Sequence, residues 1–230
     1  MKKIRLLFPL LLLSGCSNIT VLNPKSTTGK DQAFLIWLGF GIMFLVLAVV
    51  FFLLVKIIIT YRYKKEREHD PTNYLNDKQK RHLQLAWTII PIILLVILSI
   101  PALWISYHQS PVAEAESRHE GVHIHVSAKQ FQWTFTYDTD KTEENLLILP
   151  EGESIILHLS TEDVIHSFWV PELAGKVDLI PNKPIVNEIK EPEIGVYKGK
   201  CAEYCGIQHT NMTFTVKVVS KEEYENYINN

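Results

Sequence analysis

The chain has 230 residues, 47% of them hydrophobic, with 23 Lys and Arg against 25 Asp and Glu for a formal net charge of −2, and only three cysteines. That length holds one ordinary domain plus a membrane part, and the near-neutral balance gives no basic footprint for a nucleic-acid partner. Each cysteine has to be accounted for individually.

The chain opens with Lys2, Lys3 and Arg5, an apolar run from Leu6 to Leu13, and then Ser14-Gly15-Cys16. A basic start, an apolar stretch and small residues before a cysteine read as a secretion signal over 1–16. The motif resembles a bacterial lipobox, which implies cleavage before Cys16 and a lipid on that residue; the alternative is an uncleaved anchor with an incidental cysteine. Residues 17–32 read as a polar outer linker. The run from Ala33 to Val55 is almost wholly apolar and would make about 35 Å of helix, enough to cross a bilayer, so 33–59 is predicted as a first transmembrane helix. The connection over 60–82 carries Arg62, Lys64, Lys65, Arg67, Lys78, Lys80 and Arg81, which places it in the cytoplasm by the positive-inside rule. Residues 83–107 form a second apolar span, with Trp87 and Trp104 near its ends and Pro91 and Pro101 within it. Two such spans in so short a chain weigh against buried helices of a soluble protein.

After a second linker, 108–121, the remainder to residue 230 reads as an extracytoplasmic β domain. Val122 to Ala128, Gln130 to Tyr137, Ser154 to Ser160, Ile165 to Val170 and Thr213 to Val219 are short runs of β-branched and aromatic residues separated by turn-prone stretches. Only the tail from Lys221 to Ile228 looks helical. The expected fold is therefore a two-helix transmembrane hairpin plus an all-β sandwich.

The chemistry is concentrated in Cys201-Ala-Glu-Tyr-Cys205-Gly-Ile-Gln-His209-Thr-Asn-Met212, with His166 thirty-five residues earlier in Asp163-Val-Ile-His-Ser-Phe-Trp169. Two thiolates, two imidazoles and a thioether suit copper; magnesium or calcium would want oxygen, and zinc rarely recruits a methionine. A mononuclear blue-copper site uses one cysteine, whereas two can bridge two metals. With every position filled by protein, such a centre transfers electrons rather than binding substrate. A disulfide between the two cysteines is the competing assignment. From Ser110 onward there are twenty Asp or Glu against ten Lys or Arg. Such a face is either simply solvated or steers a basic partner. No Cys-x-x-Cys-His sequence occurs, so no covalent haem is expected here.

On Asp163-x-x-His166, Lys176-x-Asp178, the loop from Cys201 to Met212 and the membrane hairpin, the chain resembles subunit II of haem-copper cytochrome c oxidases from about Asp31 onward. The resemblance implies a cupredoxin-like Greek-key sandwich and a dinuclear CuA centre. It implies that His166, Cys201, Cys205, His209 and Met212 hold two copper ions through their side chains, and that Glu203 gives its carbonyl to copper and its carboxylate to magnesium. It further implies cytochrome c as donor, a haem-bearing subunit I as partner, and a bacterial cell membrane with the copper domain outside. Two positions depart from the pattern. Phe131 and Gln132 stand where many relatives have Trp and another aromatic, leaving Phe131 as the candidate at the surface where electrons arrive. Gln84 stands where relatives often have a Glu linked to proton uptake, and an amide cannot titrate. The competing assignments are a quinol-oxidising subunit II, which resembles this chain but lacks the copper ligands, a thioredoxin-like copper chaperone, and a lipoprotein adaptor with a disulfide.

Overall fold

The structure, a computed structural model, describes residues 19–62, 75–113 and 121–229. The expected signal segment with Cys16, and much of the basic connection between the two apolar spans, lie outside the described residues. The chain divides into two units, residues 34–108 and a second unit that joins residues up to Ala33 with those from Gln109 onward.

The first unit is built from two helices, α1 (Thr27–Tyr61) and α2 (Asp77–Gln109). At 1.5 Å per residue each spans about 50 Å, against about 30 Å of bilayer hydrocarbon. Both carry large apolar side chains around their circumference, and Phe44, Phe51, Leu95 and Leu103 stand exposed. Without a polar stripe, such helices require an apolar surround of lipid or partner helices. Pro91 and Pro101 are both inside α2. The helix begins earlier than the apolar span at 83 because Asn76 and Gln79 cap it reciprocally: the Gln79 N–H donates to Asn76 Oδ1 at 2.8 Å and the Asn76 N–H to Gln79 Oε1 at 3.0 Å.

The second unit is a two-sheet β-sandwich. Its strands are β1 (Val112–Ala113), β2 (Val122–Lys129), β3 (Gln132–Tyr137), β4 (Thr142–Glu144), β5 (Leu146–Pro150), β6 (Ser154–Thr161), β7 (His166–Trp169), β8 (Val177–Leu179), β9 (Ile185–Lys190), β10 (Gly195–Cys201) and β11 (Thr213–Val219), followed by helix α3 (Lys221–Asn229). One sheet runs β1-β9-β6-β2-β3-β4 and the other β5-β11-β10-β7-β8. β2 with β6 and β5 with β11 are parallel pairs; the remaining ladders are antiparallel. Alternation sends Ile124, Val126 and Ala128 of β2, Trp133, Phe135 and Tyr137 of β3, and Ile155, Leu157 and Leu159 of β6 inward, all buried. Trp133, Phe168 and Phe214 bring the two sheets together, with ring centroids 5.0 to 5.8 Å apart. A Cβ at Gly199 would sit 2.1 Å from the Phe214 ring, so β10 carries glycine where the ring lies against its backbone.

The expected outer linker, 17–32, is instead held against the sandwich. The Lys25 N–H donates to the Glu172 carbonyl at 2.7 Å, and the Glu193 N–H to the Lys25 carbonyl at 2.9 Å. Buried Ser26 caps α1 by accepting from the Gly29 N–H at 2.8 Å while its hydroxyl donates to the Leu173 carbonyl. Lys30 pairs with Glu193 at 2.8 Å. The polar composition that suggests a loose linker thus serves as a set of caps and docking bonds. The second expected linker, 108–121, similarly contains β1, whose Val112 pairs with Val186 of β9.

Because Phe214 is buried between the sheets, Phe214→Ala is expected to cost about 3–5 kcal/mol. A clearly lowered unfolding midpoint of the full chain in detergent checks this.

Candidate metal centre

Strand pairing positions the donors. Cys201 ends β10, and its N–H donates to the Met212 carbonyl at 2.9 Å just before β11 begins, which closes the loop 201–212 at its base. β7 lies beside β10 with Phe168 opposite Cys201, and the Ala202 N–H donates to the Ser167 carbonyl at 2.9 Å. This registers His166, the first residue of β7, alongside the loop. Inside the loop the His209 N–H donates to the Gly206 carbonyl at 3.1 Å, and a short 3-10 turn over His209–Asn211 delivers Met212 inward.

Gly206 has φ of +133°, and a Cβ there would come 2.9 Å from Gln130 Nε2 and 3.1 Å from the Phe131 ring. Both the backbone conformation and the close approach of the β2–β3 turn require glycine. Gln130 and Phe131 belong to that turn, since β3 begins only at Gln132. Phe131 therefore packs beside the ligand loop and not within a strand.

The donors converge. Cys201 and Cys205 are free thiols with sulfurs 3.8 Å apart, each 4% exposed. Cys201 Sγ lies 3.8 Å from His166 Nδ1 and 3.2 Å from the Glu203 carbonyl oxygen. Cys205 Sγ lies 3.6 Å from His209 Nδ1 and 3.7 Å from Met212 Sδ. His166 and Met212 are fully buried. Ligand atoms of His166, Cys201 and Cys205 all fall within 4.8 Å of one another. Soft sulfur and imidazole donors around one cavity are the set a soft or borderline transition metal takes.

Electrostatics favour a cation here. Burial, followed by the neighbouring Cys201 sulfur, pushes the Cys205 thiol up to about 12. Two thiolates this close repel in a dry pocket, so metal binding must displace the Cys205 proton and weakens as pH falls. Asp163 orients the buried histidine: its Oδ1 accepts from His166 Nε2 at 2.9 Å, which leaves Nδ1 free of a proton and facing Cys201. Burial acts to raise the Asp163 carboxyl, but the N–H groups of Gln130 and Val164 and the His166 ring outweigh it and hold the group below its usual value. Gln130 ties the two halves together, since its N–H donates to Asp163 Oδ2 at 2.8 Å and its side-chain amide to the Cys205 carbonyl. Trp133 meets His166 edge-on at a centroid distance of 6.2 Å.

His166, Cys201, Cys205, His209, Met212 and the Glu203 carbonyl thus lie together. The Glu203 carboxylate lies apart from the sulfurs and meets Lys176 Nζ at 3.3 Å; Lys176 also holds Asp178 at 2.9 Å. Its hydrogen bond is the main force lowering the Asp178 carboxyl below the usual range. The roles of Asp163, Gln130 and Trp133 are not apparent from the sequence alone; the one signal was Asp163 at three residues before His166, the spacing of a local carboxylate–imidazole bond.

Comparison with known proteins agrees along most of the chain. Residues 139–219 match the family model for cytochrome c oxidase subunit II, periplasmic domain, and residues 25–105 that for its transmembrane domain. A cytochrome c oxidase subunit 2 of Alkalihalophilus pseudofirmus is 35% identical over 96% of this chain, which spans 65% of that protein's length. A quinol oxidase subunit 2 of Bacillus cereus is 32% identical over 95% of the chain and 75% of its own length. Among solved structures, the periplasmic domain of subunit II of cytochrome oxidase from Bradyrhizobium japonicum aligns with a TM-score of 0.46 at 24% identity, covering 49% of this chain and 94% of that one.

Asp163→Asn keeps the shape but removes the charge that sets the imidazole. Metal affinity is expected to fall about 10–100-fold with the fold unchanged, measured by competition with a chelator of known affinity.

Proposed function

The chain belongs to the cytochrome c oxidase subunit II family, and from that membership we propose that it is the electron-accepting subunit of a respiratory haem-copper oxidase, with a dinuclear CuA centre held between Cys201 and Cys205. The reading rests on one observation: two buried thiols 3.8 Å apart with both imidazoles, the thioether and the Glu203 carbonyl around them. That donor set fits two copper ions, which Cys201, Cys205, His166, His209, Met212 and the Glu203 carbonyl would hold. When bound, the copper pair supplies a one-electron relay between an external donor and haem in the partner subunit I, where oxygen is reduced to water and protons are translocated.

The chain's own residues prepare the relay. Asp163 fixes the tautomer and direction of His166, and both sulfurs are buried in the core cluster that includes Trp133, Phe168 and Phe214. Such enclosure limits solvent rearrangement on electron transfer. His209 is half-buried, with Tyr204 packed edge-on to its ring at 5.8 Å, and is the ligand nearest the surface. Tyr204, against that ring, and Ile207, two residues before His209 in the loop, are 75% and 92% exposed, so an electron donor would meet apolar side chains beside a ligand. The acidic excess of the domain, twenty acids to ten bases from Ser110 on, would steer a basic cytochrome c toward it. Phe131, packed against Gly206, is a second surface route to the loop.

The Glu203 carboxylate is available to a harder cation such as magnesium only if Lys176 gives way, because the ammonium now neutralises it. The Gln84 side chain is a neutral amide and cannot titrate, so it offers no route for proton uptake through this chain. The basic residues between the two apolar spans support a position for the sandwich on the outer face of the cell membrane by the positive-inside rule, and Cys16 is the proposed lipid attachment. A quinol-oxidising role is the second reading, favoured by relatives of 28–32% identity named quinol oxidase subunit 2. A subunit taking electrons directly from quinol has no need of this donor set.

In the assembled oxidase, Cys201→Ser or Cys205→Ser is expected to abolish oxidation of reduced cytochrome c while membrane insertion persists. Turnover unchanged in either variant, or sustained by quinol alone, would refute the assignment.

A further inference from the structure

Three histidines outside the cysteine cluster meet on the opposite side of the domain's other sheet. In β2 the residues facing inward are Ile124, Val126 and Ala128, so His123 and His125 point outward two residues apart. In β6 the inward residues are Ile155, Leu157 and Leu159, which turns His158 outward. β2 and β6 run parallel in the register His125↔His158, so the strand pairing itself puts all three imidazoles on one patch.

Their rings are already in contact. His123 Nδ1 lies 2.9 Å from His158 Nε2, and His125 stacks on His158 with centroids 4.7 Å apart and planes 26° from parallel. At 2.9 Å the two nitrogens share one proton. They cannot both carry one on the facing atoms, so at least one presents a lone pair toward the other. Two imidazole nitrogens bound to one tetrahedral ion at 2.0–2.1 Å are about 3.3 Å apart. The pair therefore needs to open by only a few tenths of an ångström for an ion to replace the shared proton. His125 has to turn out of its stack to become the third ligand; as an exposed side chain it is free of core packing. His123 and His158 are half-buried, which restricts their rotamers and lowers the entropy lost on binding.

We propose that His123, His125 and His158 form a binding site for a borderline divalent transition-metal ion, Zn2+ or Cu2+, separate from the cysteine cluster. Neutral imidazoles select such ions over magnesium or calcium, which prefer oxygen. Three protein ligands leave a position for water or for a ligand from another molecule.

The test uses the full chain in detergent carrying C201S and C205S, so that the cysteine cluster is removed and its own metal assignment has no bearing on the outcome. Zn2+ alone is titrated against a chromophoric chelator. The expected result is one Zn2+ per chain, with H123Q, H125Q and H158Q each weakening uptake by at least about tenfold, the scale lost when even an outer partner of a metal ligand is removed. No stoichiometric uptake by a chain whose β-sheet circular dichroism is intact overturns the proposal, as does full affinity in H158Q, the residue that contacts both others.

Discussion

Two buried thiols less than 4 Å apart are the constraint on which the rest of the candidate metal centre depends. Left alone, the pair is unfavourable to ionise: burial and the neighbouring sulfur hold the Cys205 proton well above neutral pH. A cation shared between them reverses this, because its charge offsets both the desolvation and the mutual repulsion. The fold holds the sulfurs where this trade is forced. β10 delivers Cys201, the bond from its N–H to the Met212 carbonyl closes the loop, Gly206 lets the loop turn tightly against Gln130 and Phe131, and β7 brings His166 from a distant part of the chain.

Around that pair the protein arranges rigidity rather than open coordination. Asp163 and Gln130 form a hydrogen-bonded brace between the β2–β3 turn, His166 and the Cys205 carbonyl. Beneath them Trp133, Phe168 and Phe214 fill the space between the sheets. A donor set this enclosed has little room to change shape, which is what the proposed electron relay requires. The two long apolar helices have a different requirement. Their exposed Phe, Leu and Ile side chains need lipid or partner helices, so the chain is a membrane protein whose water-facing chemistry resides in the sandwich.

Much of this was legible in the sequence, and what was hidden has physical reasons. The apolar spans and the Cys201-to-Met212 loop are local signals, read from uninterrupted hydropathy and from donor spacing. Strands such as β2 and β11 show alternation and were readable; β4 is three polar residues and β9 carries Asn187 and Glu188 among its apolar ones, so neither stands out without its sheet partners. Ser26, Thr27 and Thr28 look like linker by composition, yet Ser26 is a buried cap and Thr28 accepts the Lys190 N–H. Helix α2 starts at a capping box that hydropathy does not register. The braces on the metal centre were the least visible, since Gln130 and Asp163 become partners only when β2, β6 and β7 are aligned.

Whether the loop holds a pair of coppers sharing one electron can be read from electron paramagnetic resonance of the copper-loaded full chain together with metal analysis. Two coppers per chain are expected, with a hyperfine pattern from two equivalent nuclei and the electron delocalised over both. A single copper with the hyperfine pattern of one nucleus, or a chain that takes up no copper and joins Cys201 to Cys205 in a disulfide, would contradict that expectation.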